Sequence, residues 1–400
     1  MRVTTENILD SLKKMGKMVF FLESPDNSII YESLILIGIL LLTLAIFFRL
    51  LFPKKQKISK KVLIEEKKPS SPKKINKFID LHLHIDGAIT ADIAKKLAAL
   101  QNIQLPSNDD KELKAHFTVS ENCANLDEFL KRFSLPLSLL QTPEGLSEAV
   151  RLIADNIQKQ GVIYAEFRFA PQLHTNKGMS QEDAVKAVLE GMKRTSLKVN
   201  FILCFLRGES NQVENDLTLE LAKKYFKKDG GVVAVDIAGS EKKFPNKNYK
   251  ELFEKVKESN IPFTIHAGEA AGAESVKCAI DFGAHRIGHG VRACEDPNVV
   301  QILLEKKIPL EMCPTSNKQT CVLDNMDEYP LLDFLEKGLK VTLNTDDMGI
   351  EGTYLAKEFE NMEKKYNLTY EQQKTILLNS VNAAFTTDEV KAKLLEELGL

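Results

Sequence analysis

The stretch Phe78–His84 reads FIDLHLH, the alternating pattern of a β-strand that ends in two histidines. Seven more short apolar runs follow it, separated by amphipathic segments that have the period of α-helices. These runs are residues 162–169, 200–206, 232–238, 262–266, 286–289, 308–313 and 339–344. Alternating strands and helices indicate an α/β fold with a parallel sheet, and eight such units predict a closed (β/α)₈ TIM barrel.

The longest interval between two of these runs is residues 85–161, which hold several helical patterns, including residues 127–134. This interval predicts a helical insertion after the first strand, over the C-terminal mouth where barrel enzymes keep their active sites. Further helices are predicted over residues 180–197 and 249–259. The final segment, residues 370–400, is predicted to be helical and to pack outside the barrel.

An apolar run near the N-terminus, residues 29–52, is long enough to cross a bilayer. Only Glu32 and Arg49 interrupt it, and both lie near its ends. The run predicts one transmembrane helix in contact with membrane lipid, and the alternatives are a buried core helix and a cleaved signal peptide. Five lysines at positions 54–61 follow it directly, so the positive-inside rule predicts a single-pass membrane protein with a cytoplasmic C-terminal domain.

Residues 53–77 contain ten Lys against two Glu, a composition that predicts an extended linker because it cannot build a core. The linker could lie near anionic lipid headgroups or be a solvated spacer, and the sequence favours neither. Residues 1–28 hold a weak helical pattern without an assignment. The predicted organisation is therefore an N-terminal segment (1–28), a transmembrane helix (29–52), a linker (53–77) and a barrel domain (78–400).

The overall composition excludes some classes of protein. The formal net charge of the 400 residues is −2, which gives no indication of a nucleic-acid partner. The six cysteines include no Cys-x-x-Cys pair and are too sparse for a disulfide framework, so we interpret them as free thiols.

Polar residues cluster at the ends of four predicted strands, and a first group of them has the chemistry of metal ligands. Because side chains alternate along a strand, the two histidines of the first run face the same way. Zinc takes imidazole and carboxylate ligands and, at catalytic sites, leaves a position open for water. A plausible set of ligands for one Zn²⁺ is His82, His84, His266 and Asp346.

A second group of polar residues at the same strand ends could move protons. A metal site that activates water needs a base nearby, for which His289 and Asp347 are candidates. Glu269 follows a candidate ligand by three residues on a short glycine turn, and could be an acid or base that is not a ligand. Each signal alone is weak, but four of them in register with a barrel predict an active site.

The segments that carry these residues read, in order, LHLHIDGAIT, EFRFAPQLH, VDIAGSE, IHAGEAAG, RIGHGVRA, LEMCPTSN and LNTDDM. This series resembles the adenosine deaminase family, within the metal-dependent amidohydrolase superfamily, from about Phe78 to the C-terminus. The resemblance implies hydrolytic deamination of adenosine, and of 2′-deoxyadenosine, to inosine and ammonia in purine salvage. It implies one Zn²⁺ per chain, held by the four ligands named above.

The resemblance also implies a role for other matching positions. Glu269 would protonate purine N1, His289 would orient the attacking hydroxide, and Asp347 would contact that hydroxide and purine N7. Gly239 would offer its N–H to purine N3, and Asp86 would hold a ribose hydroxyl. Apolar positions over the pocket would be Leu126, Phe129 and Phe133. Positions that orient the metal ligands would be Asp236 and Ser316.

One position departs from the family pattern, and two alternative functions remain. The family often has an acidic residue directly after the Gly of its Asp-x-Ala-Gly motif, where this chain has Ser240. The first alternative is a deaminase of adenine, a 6-modified adenosine or AMP. Asp86 argues against adenine, because a free base has no ribose hydroxyl for it to hold. The second is a non-catalytic, membrane-tethered protein that binds nucleosides, which the intact ligand set argues against. The oligomeric state stays open.

Overall fold

The computed structural model describes residues 74–119, 129–323 and 325–400, and all eight predicted strands occur in these ranges. Four strands have the predicted bounds, and the others differ by one or two residues at their ends. The strands are β1 (Phe78–His84), β2 (Val162–Phe169), β3 (Lys198–Leu206), β4 (Val232–Ala238), β5 (Thr264–Ala267), β6 (Arg286–His289), β7 (Leu310–Met312) and β8 (Val341–Leu343).

The strands pair in chain order, and every pair is parallel. Strands β1–β4 form one continuous ladder and β5–β8 form another. The N–H of Val235 donates to the carbonyl of Pro262 at 3.1 Å, which joins the two ladders on one side. The N–H of His84 donates to the carbonyl of Asp346 at 2.9 Å and joins them on the other. The predicted barrel is therefore closed.

Helices alternate with the strands and cover the outside of the barrel. They are α1 (Ala91–Gln101), α2 (Asp110–Phe117), α3 (Ser134–Ser138), α4 (Pro143–Lys159), α5 (Gln181–Met192), α6 (Gln212–Tyr225), α7 (Lys250–Glu258), α8 (Ala273–Phe282), α9 (Pro297–Lys306), α10 (Pro314–Gln319), α11 (Leu331–Glu336), α12 (Met348–Glu351), α13 (Leu355–Tyr366), α14 (Tyr370–Ala383) and α15 (Asp388–Leu398). Helices α1–α4 form the predicted insertion between β1 and β2.

Two of the predicted helices differ from the structure. The helix predicted over residues 180–197 starts after Ser180, whose hydroxyl caps its first turn, and ends at Met192. The segment predicted to be helical over residues 370–400 consists of two helices, α14 and α15. It breaks because Phe385 leaves the helix, donates its N–H to Glu166 and stacks its ring on Arg286 at 3.8 Å.

Strand β3 shows how the barrel positions its active site. Alternate residues of this strand, such as Phe201 and Leu203, are fully buried in the main apolar core of the protein. The intervening residues belong to a different environment. Ile202 packs in a separate cluster with residues of β4, and Cys204, two residues nearer the carboxyl end, lines a pocket. The barrel interior is therefore packed in layers below an open upper end, as in other barrels of this type.

The predicted location at a membrane is wrong. Among the described residues, no helix combines the length and the apolar composition that crossing a bilayer requires. The prediction depended on residues 29–52, which lie outside the described ranges, and an apolar run of sufficient length does not by itself establish a membrane-spanning helix. The contact with lipid and the cytoplasmic orientation depended on that helix and are withdrawn with it.

The other N-terminal predictions are not tested. The described residues belong to one compact unit. The predicted segment 1–28 and residues 53–73 of the predicted linker lie outside the described residues, and their boundaries stay predictions.

Candidate active site

The four predicted ligands meet at the carboxyl ends of three strands. His82 and His84 lie at the end of β1, and their ring centroids are 5.4 Å apart. His266 lies in β5, and Asp346 follows β8 with a left-handed φ of 67°. One nitrogen or oxygen atom from each of the four side chains lies within 4.8 Å of the others. The structure therefore brings the predicted ligands together as a candidate metal site.

Two buried carboxylates decide which ring nitrogens face this cluster. His82 Nδ1 donates to Glu311 Oε2 at 2.8 Å, and His266 Nδ1 lies 2.8 Å from Asp236 Oδ2. Because an ionised carboxylate can only accept, Nδ1 of His82 carries the proton, and the close approach of Asp236 favours the same tautomer for His266. Each Nε2 atom is therefore left with a lone pair for a metal ion, as is usual for histidine ligands that are backed by a carboxylate.

When the rings of His82 and His266 carry their protons on Nδ1, lone-pair atoms face one another in the centre of the cluster, an arrangement that a bound cation would stabilise. His82 Nε2, which presents a lone pair, lies 3.3 Å from Asp346 Oδ1. That nitrogen is buried and has no hydrogen-bond partner among the described residues. His84 Nε2 lies 3.3 Å from His266 Nε2 and 3.4 Å from Asp346 Oδ1. The residues present therefore fit a bound metal cation.

Two buried arginines tie the supporting carboxylates to the barrel. Arg168 donates from Nη1 to Asp236 and from Nη2 to Glu311, each at 2.8 Å. Arg286 donates to the second oxygen of Glu311 and lies 2.7 Å from Glu166. Both guanidinium groups are buried, and the carboxylates that hold them come from β2, β4 and β7. This network restrains the rings that face the metal site.

The two adjacent aspartates have opposite environments. Burial acts to raise the pKa of both carboxyls. The imidazoles of His82, His289 and His84 overcome this effect at Asp346 and lower its pKa well below the usual range. Asp347 instead faces other carboxylates, first Asp346, so its pKa is raised well above the usual range. Such a divergence of neighbouring groups is typical of active sites, where two carboxyls have two roles.

Glu269 lies on the loop between β5 and α8, beside the metal site. Its Oε2 is 3.7 Å from His289 Nε2. Burial, followed by the negative charges of Asp346 and Glu241, raises the pKa of Glu269 to about 8. At neutral pH this carboxyl therefore keeps its proton, which is the state that a general acid requires.

His289 ends β6 and is held in one orientation by α10 and the segment that follows it. Its left-handed φ of 61° is rare for a residue with a side chain and is typical of functional sites. Tyr329 donates its hydroxyl to Asn317 Oδ1 at 2.9 Å, so the amide of Asn317 presents Nδ2 to His289 Nδ1 at 3.0 Å. His289 Nδ1 accepts this bond, which leaves the ring proton on Nε2, 3.7 Å from Asp346 Oδ2.

These groups line one cavity of about 270 Å³ at the mouth of the barrel. Phe129 and Phe133 cover it from the insertion after β1, with ring centroids 6.0 Å apart. Asp86 also lines it, and its Oδ1 is buried without a hydrogen-bond partner among the described residues. A buried acceptor of this kind is costly unless a ligand donates to it. The cavity therefore combines an apolar cover with polar groups for orientation, as small-molecule sites do.

The structure places most of the predicted site residues around this cavity. The lining includes His84, Asp86, Phe129, Phe133, Gly239, His266, Glu269, His289, Ser316, Asp346 and Asp347. Asp236 contacts His266 as the prediction requires, but Ser316 Oγ has no hydrogen-bond partner among the described residues. Leu126 lies outside the described ranges.

Sequence reasoning missed the residues that orient the others. They are Arg168, Glu241, Arg286, Glu311, Asn317 and Tyr329. A signal for two of them was present, since Arg168, with Glu166 two residues before it, and Glu311 are charged residues inside runs that are mainly apolar, VIYAEFRF and IPLEMC. Charged residues are rarely buried unless they are paired, so such interruptions indicate buried ion pairs. The sequence showed no comparable signal for Asn317 or Tyr329.

Three histidines and an aspartate at the carboxyl ends of barrel strands, with a protonated carboxyl beside them, define a barrel hydrolase of the amidohydrolase type. Residues 78–399 match the adenosine deaminase family, and the chain belongs to that family. It is accordingly a hydrolytic deaminase.

The sequence similarity to known relatives covers nearly the whole length of each relative. The adenosine deaminase of Haemophilus ducreyi is 47% identical over 326 residues, which are 80% of this chain and 95% of that protein. An adenosine deaminase of Clostridium botulinum is 40% identical over 323 residues, 79% of this chain and 96% of that protein. Among solved structures, an adenine deaminase from Arthrobacter aurescens has a TM-score of 0.72 and 29% identity, and covers 81% of this chain and 98% of that one.

Proposed function

We propose that the chain hydrolyses adenosine, and 2′-deoxyadenosine, to inosine and ammonia at the cavity described above, as a step of purine salvage. The observation that carries the proposal is the position of Glu269, a carboxyl that is protonated at neutral pH and lies beside four converging metal ligands. The relatives named adenosine deaminase support the choice of substrate.

The metal in this proposal is a single Zn²⁺, held by His82, His84, His266 and Asp346. Three imidazoles and one carboxylate suit zinc, and the two rings backed by carboxylates already present Nε2. When bound, zinc makes hydroxide available near neutral pH.

Glu269 and His289 provide the proton and the hydrogen bond that attack at purine C6 requires. Attack at C6 breaks the aromaticity of the ring and moves an electron pair onto N1, so N1 must accept a proton as the new bond forms. Glu269 holds that proton because its pKa is raised to about 8. His289 directs its Nε2–H into the space between Glu269 and Asp346, where it would stabilise the attacking oxygen. The amino group would then take up the proton of the newly added C6 hydroxyl, so that the C6–N bond breaks, ammonia leaves and a carbonyl remains at C6.

The remaining residues of the cavity would hold the nucleoside. Asp347, whose Oδ1 is buried and without a partner among the described residues, would contact the attacking oxygen and purine N7. Gly239 would offer its N–H to N3, and the unpartnered Oδ1 of Asp86 would accept from a ribose hydroxyl. Phe129 and Phe133 would cover the base.

The cavity favours a nucleoside over two of the alternative substrates, adenine and AMP. Adenine would leave the buried oxygen of Asp86 without a donor. AMP would bring a phosphate to a cavity in which the described lining residues include carboxylates but no lysine or arginine. Both arrangements cost free energy, because a buried polar or charged group without a partner is destabilising. The adenine deaminase among the structural relatives makes adenine the alternative to test first.

The test compares adenosine, adenine and AMP as substrates of the zinc-loaded full chain, followed by the change in ultraviolet absorbance. We expect kcat/KM for adenosine to exceed that for the other two by at least on the order of 100-fold. The variant Asp86→Ala should lose most of this preference over adenine. A preference for adenine or AMP would replace the proposed substrate. Absence of turnover with all three, together with nucleoside binding, would support the non-catalytic alternative.

A further inference from the structure

Glu241 lies directly beneath the loop that carries Glu269, residues 268–272, which we call the acid loop. Four consecutive backbone N–H groups of this loop converge on its carboxylate. Oε1 accepts from Gly268 at 2.9 Å, and Oε2 accepts from Glu269, Ala270 and Ala271 at 3.1, 2.8 and 2.9 Å. Every hydrogen bond that the backbone of these four residues could donate is therefore used on one side chain.

The carboxylate of Glu241 is itself held from the other side. It is 1% exposed, and the hydroxyl of Ser275 on α8 donates to its Oε1. Asn246 donates to the oxygen of Ser275 at 2.9 Å and so restrains that hydroxyl. Because Glu241 follows β4 while the acid loop follows β5, these contacts join two neighbouring units of the barrel.

The acid loop needs an external anchor because its own conformation is irregular. It begins at Gly268, whose φ of 70° is in the left-handed region, and ends one residue before α8. Loops that leave the strand geometry in this way have no ladder partner for their N–H groups, and a buried N–H without a partner is costly. In the acid loop, the carboxylate of Glu241 accepts the hydrogen bonds that a neighbouring strand would otherwise accept.

We infer that Glu241 is a positioning residue for deamination, which holds the backbone of the acid loop so that the carboxyl of Glu269 stays in place to protonate the purine ring. The inference rests on the role proposed for Glu269. The side chain of Glu241 does not line the substrate cavity, so it acts through the loop and not by contact with the substrate.

The charge of Glu241 has a second effect on Glu269. Its negative charge is one of the causes that raise the pKa of Glu269, together with burial and Asp346, whereas His82 and Arg207 act in the opposite direction. His289 is the further titratable group in contact with Glu269. Loss of the charge at Glu241 should therefore move the alkaline limb of the pH profile toward lower pH.

The test uses Glu241→Gln in the zinc-loaded full chain. An amide can accept with only one of its two terminal atoms, so it leaves at least one N–H of the acid loop unpaired. We expect kcat for adenosine to fall on the order of 100-fold, because small misplacements of a catalytic group have effects of that size. KM should change by less than about threefold, since the cavity is intact. Amide hydrogen exchange at residues 268–271 should become faster.

The matched control is Glu274→Gln. Glu274 is an exposed carboxylate at the start of α8 that accepts a single N–H, from Gly272. The variant Glu274→Gln should leave kcat and the amide hydrogen exchange of residues 268–271 unchanged. If Glu241→Gln does not fold, Glu241→Asp serves instead, because it keeps the charge but moves it by one methylene, and a partial loss of kcat is expected.

Two outcomes would overturn the inference: a Glu241 variant with kcat and pH profile like the parent protein, or one whose exchange at residues 268–271 is unchanged. The exchange measurement does not depend on the substrate. A parent protein that fails to deaminate adenosine therefore contradicts the proposed function, whereas protected amides that stay protected in the variant contradict the role of Glu241.

Discussion

The two halves of the barrel differ in regularity and in chemical content. Strands β1–β4 have seven to nine residues each, whereas β5–β8 have three or four. The first half contributes two of the candidate ligands, His82 and His84. The second half contributes the rest of the reactive groups, which are His266, Glu269, His289, Asp346 and Asp347.

The short strands of the second half make room for backbone that a regular ladder excludes. His289, the last residue of β6, and Asp346, which follows β8, both have left-handed φ values, which the interior of a regular strand excludes. Side chains then replace some of the missing ladder bonds. Asn344 Oδ1 accepts from the N–H of Leu81 at 3.0 Å, and Thr345 donates to Asp80 at 2.6 Å. Long strands thus give the barrel its frame, and buried polar contacts give the active site its orientation.

The largest effect should come from Glu269, the only proposed proton donor of the second half. We expect Glu269→Gln to lower kcat by about 10³-fold, because a positioned general acid contributes an effect of that order. Zinc content should stay at one per chain, since Glu269 is not among the converging ligands. Steady-state kinetics and metal analysis of the same preparation test this, and a variant with parental kcat would remove Glu269 from the mechanism.

The supporting network allows a direct comparison of the halves through two buried glutamates. Glu311 on β7 contacts His82, so we expect Glu311→Gln to weaken zinc binding about 10- to 100-fold. Glu166 on β2 pairs with Arg286 and contacts no candidate ligand, so Glu166→Gln should cost roughly 3 kcal/mol of folding free energy with zinc affinity retained. Chelator competition and denaturant unfolding measure the two quantities. Equal losses of zinc affinity in the two variants would contradict the assignment of Glu311 to the metal site and of Glu166 to stability.

The pH dependence of kcat/KM should report the carboxyl of Glu269. Its raised pKa means that the protonated, active form persists up to about pH 8. Above that pH the proton is lost, and kcat/KM should fall about tenfold per unit. The residual activity of Glu269→Gln should lack this limb. A fall toward acidic pH instead would indicate that Glu269 acts as a base.

The smallest effect is expected from the hydroxyl that orients Asn317. In Tyr329→Phe the amide of Asn317 can rotate away from His289, and we expect kcat to fall about fivefold, equivalent to roughly 1 kcal/mol. Tyr164 provides the control in the first half, because its hydroxyl donates to Glu166 at 2.9 Å, in the lower part of the barrel. Tyr164→Phe should lower the melting temperature and leave kcat unchanged, whereas a loss of kcat in both variants would mean that stability alone explains the effect.

Local sequence patterns were sufficient to predict the strands of the barrel and the reactive groups at their carboxyl ends. Apolar runs of strand length, separated by amphipathic segments, predicted eight strands, four of them with the observed bounds. Because the carboxyl ends of barrel strands all lie at one face, residues at those ends could be grouped before any contact was known. The same reasoning predicted the helical character of the C-terminal segment but not the break between its two helices, where Phe385 contacts Arg286.

Orientation was decided by the tertiary structure. His82 and Glu311 are 229 positions apart, and nothing in the local pattern of either strand indicates that one turns the ring of the other. Glu241 is a second example. The sequence shows that Ser240 departs from the family pattern, but it does not show that Glu241, the next residue, accepts four N–H groups of the acid loop. The physical reason is that periodicity reports whether a side chain is buried, whereas its partner depends on the closure of the barrel, which brings distant strands side by side.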